Sequence, residues 1–117
     1  MNKHKYRNRP LFAGMIIAFF VILYFTYGIY LRITLQNKYN TAIKEYKDKD
    51  YISARDNFRE ILDYRDSEKY YENSNSYIEL EQEYKKALQY KNDSKYEQSI
   101  ALFEKLKDYK DSEMQID

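Results

Sequence analysis

Almost all the residues that could do chemistry in this chain are carboxylates and tyrosines. The chain has one histidine, His4, and no cysteine, so thiol nucleophiles and thiolate metal ligands are lacking. Glu79, Glu81 and Glu83 could supply acid–base catalysis, but residues two apart point in different directions on a helix and read as a solvated charged face. Both glycines lie in an apolar segment, so a glycine-rich phosphate loop cannot form. The sequence predicts a protein that is not an enzyme and that needs no cofactor.

Metal binding is disfavoured as well. Asp48-Lys49-Asp50 is similar to the start of a calcium loop, but the glycine and the distal glutamate that such a loop needs are missing at the required spacing. We therefore predict no metal site.

A stretch of 30 residues occurs twice. Residues 39–68 align without a gap with residues 84–113, and 10 of the 30 positions are identical. The identical pairs are Tyr39/Tyr84, Ala42/Ala87, Asp48/Asp93, Tyr51/Tyr96, Phe58/Phe103, Asp63/Asp108, Tyr64/Tyr109, Asp66/Asp111, Ser67/Ser112 and Glu68/Glu113. A period of 45 residues lies within the range of stacked repeats, so the duplication predicts a solenoid-like fold.

Each copy carries two apolar stripes at helical spacing. In the first copy they lie in residues 39–46 and 54–62, with the charged stretch 47–50 between them. So short a connection permits only a tight turn, so the two helices must pack antiparallel. Asp50 is predicted to cap the second helix of the first copy, and Ser94 with Glu97 to form a capping box in the second.

This design resembles the helical hairpin of tetratricopeptide repeats. The resemblance is carried by Tyr-x-x-Ala, a polar turn, and then Asp50-Tyr51-x-x-Ala54-x-x-x-Phe58. In that motif small residues let the helices approach and an aromatic ring fills the gap. The matching residues are Ala42, Ala54 and Phe58 in the first copy and Ala87, Ser99 and Phe103 in the second. The resemblance covers residues 36–113 and implies an all-α domain of two antiparallel tetratricopeptide-like hairpins, followed by a short tail, residues 114–117.

Each copy departs from the tetratricopeptide pattern at two places. Lys49 and Ser94 replace the turn glycine, and Asp66 and Asp111 replace the terminal proline within Tyr-Arg/Lys-Asp-Ser-Glu. That ending resembles the divergent arrays of bacterial surface and membrane proteins, in which the aspartate caps the following helix. Together with frequent Lys, Asn, Ile and Tyr, it points to a low-GC bacterium.

The period is also longer than the roughly 34 residues of a standard hairpin. The surplus lies between residues 67 and 84, where 72–76 is a run of weak helix formers and Ser76 with Glu79 could form a capping box. These residues favour a break in the helix. Tyr70, Tyr77 and Tyr84, at seven-residue spacing, support the alternative of one continuous helix over residues 67–92.

The resemblance implies a binding groove for protein or peptide, lined by the first helix of each hairpin. The matching positions are Tyr39, Ile43, Tyr46, Lys47, Tyr84, Leu88, Lys91 and Asn92. Tyrosine suits this role because it offers contact area and a hydroxyl at low entropy cost. Packing of Tyr39 and Tyr84 against the neighbouring hairpin is the competing interpretation and carries more weight. The Lys and Asn pair that clamps a terminal carboxylate in some family members is missing, which disfavours that ligand.

Ahead of the repeats, residues 11–31 form an uncharged run of 21 residues. As a helix it would be about 31 Å long, which matches the hydrocarbon core of a bilayer. Twelve of its residues are Leu, Ile, Val or Phe, and these favour insertion by roughly 5 kcal/mol. A cleaved signal peptide competes with this interpretation, but the run is too long and has no Ala-x-Ala site. A buried soluble helix would need a much larger domain. We therefore predict a single membrane-spanning helix.

Charge is segregated along the chain. Residues 1–35 carry five basic and no acidic residues, whereas the remainder carries 15 basic and 19 acidic residues, a balance of −4. The positive-inside rule places the basic tail, residues 1–10, in the cytoplasm and the repeats outside the cell membrane, in a single-pass arrangement. An acidic outer part disfavours nucleic acid as a partner.

The expected function is that of a membrane-anchored scaffold that binds protein or peptide. The alternative is a small accessory subunit of a larger transport, secretion or cell-envelope complex that acts through its spanning helix. Stacked repeats need about three units, so the last hairpin is expected to have an uncapped apolar flank and to form a homo-oligomer through it.

Overall fold

The computed structural model describes residues 9–117, and all the regular structure in this range is α-helical. The five helices are α1 (Arg9–Lys47), α2 (Tyr51–Arg59), α3 (Ser67–Asn92), α4 (Tyr96–Lys105) and α5 (Ser112–Ile116). The predicted all-α class is confirmed for the described residues. His4 and most of the predicted basic tail lie outside them.

Helix α1 contains the whole predicted span and continues beyond it without a break. Its 39 residues make it about 58 Å long. The segment is long and apolar enough to cross a membrane. Its large apolar side chains, including Phe20, Val21 and Leu23, are exposed along the helix. Of the described residues, those from Arg9 to Asn37 form one compact unit, and those from Lys38 to Asp117 form another.

The second unit begins with the C-terminal end of α1 packed on α2. Lys38 pairs with Glu60, and the Asn57 amide Nδ2 donates to Glu45 Oε2 at 2.7 Å. Residue numbers rise on α1 as they fall on α2, so the two helices are antiparallel, as predicted. Asp50 Oδ1 accepts from the Ser53 backbone N–H at 3.2 Å, which confirms the predicted cap.

The second copy repeats this pairing between the C-terminal half of α3 and α4. Glu83 pairs with Lys105 at 2.5 Å, and the Ser99 hydroxyl donates to the backbone carbonyl of Ala87 at 2.9 Å. Ser99 therefore occupies the small position that Ala54 holds in the first copy and satisfies its own hydroxyl there. This order of contacts is again antiparallel.

The long helices α1 and α3 are each followed by a residue with a left-handed backbone conformation. Lys49 has φ 63° and Ser94 has φ 59°, and each lies 45 residues from the other. In the first turn the N–H of Lys49 donates to the carbonyl of Tyr46 at 3.1 Å, and that of Asp50 to Glu45 at 2.9 Å. This is the Schellman pattern, in which glycine usually holds the left-handed position.

The capping box predicted for Ser94 and Glu97 is wrong. The second turn closes in the same way as the first, with the N–H of Lys95 donating to the carbonyl of Tyr90 at 2.8 Å. This closure uses Ser94 as the left-handed residue, so α4 begins one residue later, at Tyr96, with Lys95 at its N-cap.

Substitution of Ser94 by glycine is expected to stabilise the second unit by about 1 kcal/mol. A left-handed conformation costs a residue with a β-carbon about 1–2 kcal/mol, and glycine escapes that cost at some loss of chain entropy. Urea denaturation of the full chain in detergent would measure the gain. Ser94→Ala keeps the β-carbon and serves as the control; a gain equal to that of Ser94→Gly would contradict the explanation.

The predicted break at residues 72–76 is also wrong, because α3 is one unbroken helix of 26 residues. The Tyr70 ring stacks on Phe58 at 5.2 Å between centroids, and the Tyr77 ring stacks on Tyr51 at 4.4 Å. Ser74 lies fully buried on the same face between them. Packing along this face overrides the weak propensity of the segment. The alternative of a continuous helix is confirmed.

The capping box predicted for Ser76 and Glu79 fails for the same reason. The Ser76 hydroxyl donates instead to the carbonyl of Glu72 at 3.1 Å, one turn earlier in the same helix.

The core of the second unit therefore has two similar parts, which we call module I and module II. Module I contains residues 38–47 of α1, α2 with the turn that follows it, and the N-terminal half of α3. Module II contains the C-terminal half of α3, α4 with the turn that follows it, and α5. The buried apolar residues are Ala42, Ala54, Phe58 and Ile61 in module I, and Tyr84, Ala87, Phe103 and Leu106 in module II. Helix α3 belongs to both modules.

Candidate binding cleft

The residues that are identical in both copies make the same contacts in both modules. The Tyr39 hydroxyl donates to Asp66 Oδ1 at 2.5 Å, and the Ser67 hydroxyl donates to the carbonyl of Tyr64 at 2.5 Å. Forty-five residues later, the hydroxyl of Tyr84 donates to Asp111 and that of Ser112 to the carbonyl of Tyr109. The Tyr-Arg/Lys-Asp-Ser ending follows each of the short helices α2 and α4. Its aspartate is therefore bonded to the long helix that precedes that short helix, α1 or α3.

The prediction that the aspartate of this ending caps the following helix is only partly right. Asp66 and Asp111 stand at the N-caps of α3 and α5, as predicted, but their side chains make no capping hydrogen bond. The carboxylates accept from the tyrosine hydroxyls instead. A charge-assisted bond to a hydroxyl replaces the bond to a backbone N–H.

The basic residue of the same ending lies over the tyrosine rings. The Arg65 guanidinium is 5.2 Å from the centroid of Tyr39, and Lys110 Nζ is 4.9 Å from that of Tyr84. A cation at this distance from a ring face is attracted to it. Arg65 and Lys110 both adopt left-handed backbone conformations, with φ 54° and 51°.

The hydrogen bond to Asp66, together with burial, raises the pKa of Tyr39 to about 12 from 10.0. Tyr84 donates to Asp111 in the same way, and its pKa is raised for the same reasons. A tyrosine hydroxyl can donate only while it is protonated. The stabilisation from Tyr39 is therefore complete below pH 10 and is lost as the pH rises towards 12.

We therefore expect the stability of the second unit to fall between pH 10 and 12, and to fall less steeply in Tyr39→Phe. The variant should be less stable than the wild type by about 1 kcal/mol at pH 8, and the two should converge near pH 12. Urea denaturation of the full chain in detergent at several pH values would measure the difference. Tyr96→Phe, at an exposed site, is the control. A gap between Tyr39→Phe and the wild type that is constant with pH would contradict this account.

The eight residues predicted to contact a partner lie in several environments. Tyr39 and Tyr84 take part in the tyrosine–aspartate bonds, and Tyr84 is only 9% exposed. Tyr46 packs edge-on against Tyr70, with ring centroids 4.9 Å apart, and Lys91 Nζ donates to Gln115 Oε1 at 2.9 Å. Ile43 and Leu88 are half-buried, whereas Lys47 and Asn92 are exposed. A role for these eight residues in binding stays a prediction, with packing as the visible role of both repeated tyrosines.

A cleft of about 480 Å³ lies beside the middle of α3. The α1–α2 turn borders it on one side and the turn before α5 on the other. Its lining residues are Lys49, Asp50, Tyr51, Ile52, Tyr77, Ile78, Glu81, Gln82, Lys85, Tyr109 and Lys110. None of the eight predicted contact residues lines this cleft.

The cleft has an aromatic and aliphatic floor. Tyr51 and Tyr77 stack nearly parallel, with an interplanar angle of 13°. Ile52 is 59% exposed beside them, and Ile78 is half-buried. Apolar side chains left exposed in a concave site are available to bury part of another molecule.

The charged residues of the cleft surround one carboxylate. Glu81 Oε2 accepts from Lys110 Nζ at 2.5 Å and from the Tyr109 hydroxyl at 2.7 Å, and Glu81 Oε1 lies 3.7 Å from Lys85 Nζ. These partners lower the pKa of Glu81, with the bond from Lys110 as the largest cause. Glu81 therefore stays ionised and holds both lysines at the rim.

The arrangement suits binding better than chemistry. Glu81 is engaged by two donors, which leaves it poorly placed as a general base. Among residues 9–117, no group of three or more His, Asp or Glu residues could hold a metal ion. A stacked tyrosine pair, two isoleucines and rim lysines offer apolar and positively charged contacts to another molecule.

Sequence reasoning missed the cleft because it compared the two copies only with each other. Tyr77, Ile78, Glu81 and Gln82 lie in the surplus between the copies. The seven-residue spacing of Tyr70, Tyr77 and Tyr84 was the one available signal. It marks the face of α3 that packs towards α2 and leads into the cleft.

The chain matches no protein-family model, no curated protein and no solved structure. Its function is therefore inferred from its own residues.

Proposed function

We propose that this chain is a membrane-anchored, non-catalytic module that binds a peptide segment of a protein partner in the cleft beside α3. The single observation that carries the proposal is the apolar floor of that cleft, formed by Tyr51, Ile52, Tyr77 and Ile78, of which Ile52 and Tyr77 are exposed. Its volume of about 480 Å³ falls in the range of about 300–1,000 Å³ that is usual for binding sites. The segment that makes the period longer than a standard hairpin supplies half of this floor.

The proposed fold type is tetratricopeptide-like. It is supported by antiparallel helix pairs, by Ala42 and Ala54 at a buried close approach, and by Phe58 between the helices. The shared helix α3 and the missing turn glycine distinguish it from a standard array.

The proposed anchor is the apolar part of α1. Its length and exposed apolar side chains suit a lipid environment. The segregated charge supports an N-terminus in the cytoplasm and an extracytoplasmic second unit, in the cell membrane. The same balance of charge favours a protein partner over nucleic acid.

Site-specific photocrosslinking in intact cells tests the cleft. A photoreactive residue is placed in the full chain at Ile52, the second residue of α2, or at Tyr96, the first residue of α4, which are both 59% exposed. We expect one discrete adduct from position 52, none from position 96, and loss of the adduct when Tyr77→Ala is added. Equal adducts from the two positions, or none from position 52, would contradict the proposed site.

A second candidate is an accessory subunit that acts through its spanning helix. The exposed apolar side chains of α1 favour it to the extent that they could pack against other membrane helices instead of lipid. The two functions differ in whether the identity of the span matters.

A further inference from the structure

The two modules hold an ion pair at the same place with opposite polarity. In module I the long helix supplies the cation and the short helix the anion, as Lys38 and Glu60. In module II the long helix supplies the anion and the short helix the cation, as Glu83 and Lys105. The two pairs are related by the same offset of 45 residues as the repeat.

The remaining contacts would allow the helices to exchange partners. Ala42 and Ala87, Phe58 and Phe103, and Ile61 and Leu106 are equivalent core residues of similar shape. Tyrosine–phenylalanine contacts are also alike, at 6.1 Å between ring centroids in module I and 5.7 Å in module II. While the turns at residues 48–50 and 93–95 are still open, packing of these core residues alone would let α1 accept α4, and the end of α3 accept α2.

Charge opposes such an exchange. If α1 packed on α4, Lys38 would face Lys105; if the end of α3 packed on α2, Glu83 would face Glu60. The four side chains are partly exposed, so each native pair adds little to stability. Their effect on the choice between two otherwise similar pairings is larger, because both wrong pairings replace an attraction with a repulsion.

We propose that, before the tight turns at residues 48–50 and 93–95 close during folding, the reversed ion pairs bias which short helix each long helix accepts, and so disfavour pairing between modules within one chain or between two copies. The ion pair of each module thus disfavours packing against the other module. A duplicated sequence needs such a device because its two halves carry nearly the same core.

A disulfide between positions 45 and 102 reports the wrong pairing. The full chain has no cysteine, so Glu45→Cys with Leu102→Cys allows one bond within a chain, and peptide mass mapping distinguishes a 45–102 bond between two chains from 45–45 and 102–102 bonds. Glu45 contacts Asn57 in the native structure, and position 102 is the equivalent of position 57 in module II. The bond can therefore form only when α1 packs on α4, in the same chain or in a second copy.

Three charge sets are refolded from denaturant in detergent at low salt and under mild oxidation. They are the wild type, Lys38→Glu with Glu60→Lys, and a fourfold reversal that adds Glu83→Lys with Lys105→Glu. The double reversal keeps both native pairs but gives the modules the same polarity, so we expect about tenfold more bond between positions 45 and 102. The fourfold reversal should return to the wild-type yield, and high salt should remove the difference.

Two results would overturn the proposal. The first is a double reversal that yields no more of the wrong bond than the wild type, or a fourfold reversal that yields as much as the double. The second is a native bond between positions 45 and 57, from Glu45→Cys with Asn57→Cys, that forms less in either reversed charge set than in the wild type. The proposal requires equal yields of this bond in all three charge sets, because the reversed pair should still join α1 to α2.

Discussion

Two arginines at the centre of the apolar segment, Phe20→Arg with Val21→Arg, are expected to move the chain from the membrane to the soluble fraction. Each arginine at a helix centre costs about 2.5–3.5 kcal/mol, so the pair costs about 5–7 kcal/mol. The apolar residues of the segment favour insertion by only about 5 kcal/mol. The cost of the two arginines thus equals or exceeds the favourable free energy of the apolar residues. The substitutions also remove the contributions of Phe20 and Val21 to that favourable free energy, so insertion becomes unfavourable.

Alkaline extraction of membranes, followed by detection of the full chain in both fractions, measures this shift. Phe20→Leu with Val21→Leu changes the same positions but keeps them apolar, and it should stay in the membrane. If the double arginine variant is extracted as poorly as this control, the segment is not held by lipid in the manner proposed.

Replacement of Phe58 by alanine is expected to lower the free energy of unfolding of the second unit by about 3–5 kcal/mol. Phe58 is fully buried, with the Tyr39 ring edge-on at 6.1 Å and the Tyr70 ring stacked at 5.2 Å. The substitution leaves a cavity against both rings. Small domains are stable by only about 5–15 kcal/mol, so the loss brings module I close to unfolding at room temperature.

Urea denaturation followed by circular dichroism, with the full chain in detergent, tests this expectation. Phe103→Ala should have a comparable effect in module II, since Phe103 is also fully buried and packs on Tyr84 at 5.7 Å. Tyr96→Ala, at an exposed position, should change stability by less than about 0.5 kcal/mol. A Phe58→Ala variant as stable as Tyr96→Ala would show that Phe58 does not hold the helices together.

Much of the fold follows from local patterns in the sequence. The apolar stripes predict the helix pairs because a one-sided stripe must be buried against another helix. The position of Asp50 predicts its cap because a carboxylate before a helix accepts a free N–H. The duplication predicts the rest, since Tyr39 and Tyr84 make the same hydrogen bond 45 residues apart.

The errors in prediction arise where tertiary contacts decide the outcome. Residues 72–76 have low helix propensity, and only the rings of Tyr70 and Tyr77 on either side show why the helix continues. Ser94 has the side chain of a cap, but the closing hydrogen bonds of the turn require a left-handed residue there. Composition does not reveal either contact.

The candidate site was harder to predict than the fold because identity between the copies marks structural residues. Tyr84 and Asp111 recur since each module needs them for closure. The cleft instead depends on differences: Ile52 corresponds to Glu97 in the other copy, and Tyr77 and Ile78 lie outside both copies. In this duplicated chain the surplus segment supplies Tyr77 and Ile78 of the apolar floor, and the first copy supplies Tyr51 and Ile52.

The central claim is that the cleft binds a partner while the apolar part of α1 serves only as an anchor. The most direct test replaces residues 11–31 by an unrelated apolar helix of equal length in the chain that carries the photoreactive residue at position 52. We predict the same adduct at the same yield as with the native span. Loss of the adduct, with the chain still folded and membrane-bound, would contradict the claim and assign the function to the spanning helix.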